Sequence, residues 1–205
     1  MTSRLRFSAA RQIFETFPTA SRTIATPPGD EPPLAFLRRL ADSKRPFDAL
    51  VFGAYLLPRR EAVWWACQCV RAISGDAPPD AALKAAEAWV RDPEEATRRA
   101  ALDLGAAGDK ARASTWLARG AGWSGGSISP VGPPPLIPTQ PGITLRPVNA
   151  APQMTARALV AALDFALAGA GAKLRALWIA ACAQSCIRFA EGGEPRPRLV
   201  APARA

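Results

Sequence analysis

An all-α fold is predicted by three observations. Alanine, the strongest helix former, supplies 44 of 205 residues. Five prolines each stand just before or inside the start of an apolar-periodic run, where a missing N–H removes no helical hydrogen bond. The remaining prolines and glycines gather in a few stretches instead of interrupting the periodic segments, so the helices are separated by stiff connectors.

Taken in order, Ile13, Phe14, Phe17 and Pro18 read as a short docking helix ended by a turn. The same region, with Arg4, Arg6, Arg11 and Arg22 against Glu15 alone, also fits an organellar transit peptide. Pro33 then introduces a helix over 34–42, Pro46 one over 47–57, Pro58 one over 59–74, Pro79 one over 80–91 and Pro93 one over 94–107. Gly75 closes the third of these, Glu94 and Glu95 favour the N-terminal dipole of the fifth, and Gly105 with Gly108 ends it. A further helix is expected over 110–118. Together these form an irregular helical array over residues 1–123.

Residues 124–152 contain four glycines and eight prolines, which excludes regular helix. Pro133–Pro135 should be extended and stiff, so the segment is either a strap across the helical body, anchored by Ile137, Ile143, Leu145 and Val148, or a free linker. An αα-hairpin over 153–191 follows, with helices over 153–167 and 172–190 joined by Ala168–Gly171. Two helices cannot bury both stripes against each other alone, so the hairpin should pack on the array and close it. Residues 192–205 read as a disordered tail.

Composition excludes several chemistries. Without histidine there is no Ser-His-Asp or Cys-His catalysis and no His metal ligand. The four cysteines, Cys67, Cys69, Cys182 and Cys186, sit in alanine-rich helical segments and read as reduced, buried thiols. Cys67 and Cys69 diverge by about 160° on a helix, which defeats a tetrahedral zinc site with Cys182 and Cys186. Cys182 and Arg188 have the spacing of cysteine phosphatases, but the intervening residues continue a helix and form no phosphate loop. Neither metal nor cofactor is expected, nor a membrane span, because Asp164, Lys173 and Arg175 interrupt the most apolar region. The net charge of +9 comes from 26 cations, 22 of them Arg, against 17 acids. Its excess lies in 1–60 and 124–205, consistent either with an arginine-rich composition or with a polyanionic partner.

The densest local signal is Leu57–Arg71. At 100° per residue Val63, Cys67, Val70 and Ile73 share one face, and Arg60, Trp64, Gln68 and Arg71 line the other. Trp65 flanks the buried face, whereas Trp64 sits among cations. Either a second layer of helices covers Trp64, or it marks a protein-binding surface formed with Arg59, Arg60, Gln68 and Arg71. Trp123, Gly125 and Gly126 lack the lysine and preceding strand of a nucleotide loop and read as a structural anchor where the chain leaves the helical body.

Ile13–Pro18, Leu57–Cys69, Ala85–Val90, Arg98–Ala101 and Trp123–Ser127 together resemble an uncharacterised family of roughly 200-residue proteobacterial proteins, with Pro58–Cys67 and Trp123–Ser127 the most specific pieces. The resemblance implies a bacterial cytoplasmic setting and a link to protein-secretion genes, type VI systems included; it disfavours the transit peptide and supplies no catalytic residues. The expected function is therefore non-catalytic binding of another protein, as an accessory, adaptor or scaffold component of a secretion apparatus. Nucleic-acid binding through the terminal arginines is the alternative, and an enzyme without a familiar motif the third.

Overall fold

The computed structural model describes residues 5–129 and 148–199. Among these the protein is all-helical: α1 (Ala10–Thr16), α2 (Pro33–Ala41), α3 (Phe47–Leu56), α4 (Arg59–Ser74), α5 (Ala81–Arg91), α6 (Glu95–Ala107), α7 (Ala113–Gly122), α8 (Met154–Leu167) and α9 (Ala172–Ala190). The proline starts are realised as N-caps at Pro46 and Pro58 and as the first helical residue at Pro33. Gly75 caps α4 at φ 62°, a left-handed conformation that costs a glycine nothing.

The apolar run of α3, from Ala49 to Leu56, is buried all round, as befits a central helix. Helix α4 beside it touches α3, α5, α7, α8 and α9. On one flank α5, α6 and α7 pack together; on the other lie α2 and α9. The C-terminal pair closes the array as the stripes require, but its two helices part after the Ala168–Gly171 turn. Helix α8 lies mainly on α7, α4 and α3, whereas α9 lies on α3, α2 and α4. The described parts of both halves share one continuous core, running from Phe14, Phe36 and Phe52 through Trp65 to Leu159 and Cys182.

Helix α7 differs from expectation at both ends: it begins at Ala113 and continues through Gly120 to Gly122. Helix α6 ends before Gly108 as expected, but Gly105, read as part of that stop, lies inside it. Gly105, Gly120 and Gly122 lie where helices touch. A Cβ on Gly105 would sit 2.8 Å from the Arg119 amide nitrogen, one on Gly120 2.8 Å from Leu159 Cδ2, and one on Gly122 2.6 Å from Leu102 Cα. Close approach, and not helix termination, is their role.

The segment between α7 and α8 leaves and re-enters the body at one place. Ser127 and Asn149 form an antiparallel bridge, and the Ile128 amide donates to the Val148 carbonyl at 2.7 Å. Its ends are thus tied together on the helical body, through main-chain groups: the Val148 side chain, proposed as an apolar anchor, is exposed, and Ile137, Ile143 and Leu145 lie outside the described residues. Residues 192–199, expected within a disordered tail, pack back on the body. Pro195 and Pro197 are buried, and the Arg196 carbonyl accepts from Arg188 at 3.2 Å. Proline is stiff and has no N–H to satisfy, so it seats readily in such a loop. Residues 200–205 lie outside the described residues.

Candidate protein-binding site

Helix α4 organises the site, and its two tryptophans have opposite fates. Trp65 is fully buried. Its indole Nε1–H donates to Ser185 Oγ at 3.0 Å and to the Cys182 carbonyl at 3.2 Å, so the ring's one polar atom is satisfied inside the core. Trp64, one position on, is only partly buried.

Helix α5 is the second layer over the cationic side of α4, and two arginines there hold it. The Arg60 Nε–H donates to the Val90 carbonyl at 2.7 Å and Nη2–H to the Arg91 carbonyl at 3.3 Å, a cation placed on the negative end of the α5 dipole. Arg71 forms a two-pronged ion pair with Glu87, whose side chain is 6% exposed. That hydrogen bonding raises the Arg71 pKa. Arg59 turns away from both: its Nη1–H donates to the Ser124 carbonyl at 2.6 Å, and Nη2–H to the Pro152 carbonyl at 3.4 Å. Burial first, and the neighbouring Arg6 charge second, lower its pKa.

The five expected residues therefore do not form one patch. Arg60 and Trp64 meet in an open cleft of about 710 Å³ with Glu61, Val90, Arg91 and Phe189. Val90 and Phe189 are nearly buried and give the cleft an apolar floor. Gln68 lies one turn further along α4, partly buried. Arg71 faces a separate cleft of about 390 Å³ beside Asp80 and Arg112. Asp80 there caps α5, accepting from the Leu83 amide and from the Ser114 hydroxyl. Burial pushes its carboxyl up, but those hydrogen bonds and Arg112 outweigh it and hold the pKa below the ordinary value.

Glu61, Val90, Arg91 and Phe189 were not expected at this site. Glu61 shares a turn of α4 with Arg60 and Trp64, and that spacing is the signal that could have found it. Val90 and Phe189 come from helices whose crossing over α4 no local pattern specifies.

Of the anchor residues, Gly126 adopts φ 62° with the Arg98 guanidinium 3.2 Å from where a Cβ would stand. Gly125 faces open space. Trp123 ends α7 beneath Arg119, whose guanidinium carbon lies 5.8 Å from one indole centroid and 4.9 Å from that of Trp116. The strongest element of the anchor is Arg98, 4% exposed, which the sequence places only within the Arg98–Ala101 resemblance segment and gives no role. It donates to the Gly122 carbonyl at 2.5 Å and the Ser127 carbonyl at 2.9 Å, and takes both oxygens of Glu95. Arg99 adds a 2.6 Å bond to the Ser129 carbonyl.

All four cysteines are free and buried. Burial pushes the Cys67, Cys69 and Cys186 thiols well above their ordinary range, which suits core packing and not nucleophilic chemistry. No helix among the described residues is long and apolar enough to cross a membrane. Comparison with curated proteins and with solved structures returns no match. A family model does match, over residues 36–190, a span that holds α3 to α9, the Trp64 cleft and the Arg98 anchor: the chain belongs to DUF6931, a family of unknown function.

Proposed function

We propose that this protein is a non-catalytic protein-binding module whose partner docks on the Trp64 cleft. The supporting observation is a partly exposed tryptophan standing over a nearly buried Val90–Phe189 floor, with its cationic rim held in place by backbone carbonyls. Preformed aromatic and arginine surfaces of this kind concentrate binding energy. The absence of histidine and the raised thiol pKa values support the non-catalytic part of the reading. Its setting, as an accessory, adaptor or scaffold component of a secretion apparatus in a bacterial cytoplasm, rests on the sequence resemblance of Pro58–Cys67 and Trp123–Ser127.

The nucleic-acid alternative draws less support. Of the amino-terminal cations expected to serve it, Arg11, Arg38, Arg39 and Arg45 each sit on a carboxylate. Trp64→Ala is expected to abolish capture of the native partner from bacterial extract while changing unfolding free energy by no more than about 1 kcal/mol. Parallel pull-downs and denaturant melts check this, and undiminished capture by a stably folded variant would sink the proposal.

A further inference from the structure

We infer that the Trp64 cleft takes an acidic segment of its partner protein, carrying a leucine, isoleucine or phenylalanine side chain that lies against Trp64 while flanking carboxylates meet Arg91 and Arg60. This rests on the protein-binding reading and adds the chemistry of the ligand.

The carrying observation is the balance of charge around the apolar floor of the cleft. Arg11, Arg38, Arg39, Arg45, Arg71, Arg98, Arg99, Arg112 and Arg175 all contact an Asp or Glu. Among the described residues Arg60 and Arg91 make no such ion pair, a property they share with Arg6, Arg22, Arg59, Arg119, Arg157, Arg188, Arg196 and Arg198, but these two border the Val90–Phe189 floor. Arg60 is held by carbonyl oxygens, which fix its position without cancelling its full charge. Arg91, at the end of α5, is exposed and contributes only its carbonyl to that contact. Against them the cleft offers one acid, Glu61. The rim is therefore positive beside an apolar floor. A complementary ligand is negative at its edges and apolar at its centre. Arginine geometry suits carboxylates, which a guanidinium meets through two parallel N–H donors. An extended or helical peptide supplies the required alternation of carboxylate and apolar side chain over a few residues.

The test uses the full chain and a panel of fluorescein-labelled dodecapeptides in which Asp and Glu alternate with Leu, Ile or Phe. One control panel replaces the acids with Lys, a second replaces the apolar residues with Ser, and labelled oligothymidine serves as a polyanion without side chains. Fluorescence anisotropy is expected to show saturable binding of acidic apolar peptides, with both control panels at least about tenfold weaker. Arg91→Glu should weaken that binding at least about tenfold, because it reverses a rim charge and leaves the Arg91 carbonyl to Arg60. Trp64→Ala should remove the binding. Thermal melts of both variants verify the fold.

Lysine peptides that bind equally well, still through Trp64, would overturn the acidic chemistry and keep the docking site. Binding that ignores Trp64→Ala, or no peptide binding up to millimolar concentration, would overturn both. Oligothymidine that displaces the peptides and depends on Trp64 and Arg91 would assign the cleft to nucleic acid and overturn the inference.

Discussion

Trp65→Ala is expected to lower the unfolding free energy by about 3–5 kcal/mol, the range for truncating a fully buried tryptophan. In a chain of this length that corresponds to a fall in melting temperature of roughly 10 °C. The size of the effect follows from the surroundings. Trp65 is where α3, α4 and α9 converge: a Cβ on Gly53 of α3 would lie 3.5 Å from its ring and 2.8 Å from Cys186 Sγ of α9. Removing the indole opens a cavity between three helices whose backbones are already in close approach, and they cannot collapse to fill it. Trp65→Phe separates packing from hydrogen bonding. It retains most of the apolar volume and removes the donor to Ser185 and Cys182, while Ser185 keeps its own 2.8 Å bond to the Cys182 carbonyl. About 1–2 kcal/mol is expected for that variant. Equilibrium denaturation of Trp65→Ala beside Trp64→Ala is the direct comparison. Similar losses for the two adjacent residues would show that Trp64 is a core residue too.

The contrast between neighbouring tryptophans was legible from α4 alone, because a 100° step per residue cannot send both into one core. The helices were legible for a similar reason. Proline at or before the first turn and apolar periodicity are local signals, and they located α2 to α6, α8 and α9 to within a residue or so at each end. The errors came where a residue type has two physical meanings. Glycine reads as a helix stop, yet Gly105, Gly120 and Gly122 stay helical because another helix passes too close for a Cβ. Arginine reads as surface, so the face of α4 looked like a single basic patch. In the folded chain Arg59 ties down the connector, Arg60 caps α5 and Arg71 neutralises a buried glutamate. Two of these three bind main-chain carbonyls, which have no side-chain identity, so no pattern of residues betrays them.

The same consideration explains why Arg98 was given no structural role from sequence and why its loss should be severe. Arg98→Ala is expected to cost about 3 kcal/mol, because it strips charge-assisted hydrogen bonds from two carbonyls at the point where α7 ends and the connector begins. Arg98→Lys should recover little of this. One ammonium cannot reproduce a planar fork that reaches Gly122, Ser127 and both oxygens of Glu95. The damage should be local first: hydrogen exchange at the Ile128 amide, bonded to the Val148 carbonyl, is expected to accelerate more than exchange in α3. Acidification offers a second readout. Hydrogen bonds from Arg98 and then Arg99 hold the Glu95 carboxyl at about 2, below its ordinary 4.5. A group whose pKa is depressed by folding contributes stability that is complete above its unfolded value and is lost as the pH falls through its folded one. The native chain should therefore lose this contribution between about pH 4.5 and pH 2. The loss should be small, because Glu95 is largely exposed and solvent screens it. In Arg98→Ala the acid-dependent slope should be shallower and not absent, since Arg99 still contacts Glu95. Denaturant melts at pH 7 and pH 3 on both proteins measure it, and an unchanged slope would mean that the Glu95–Arg98 pair contributes nothing to the closure of the connector.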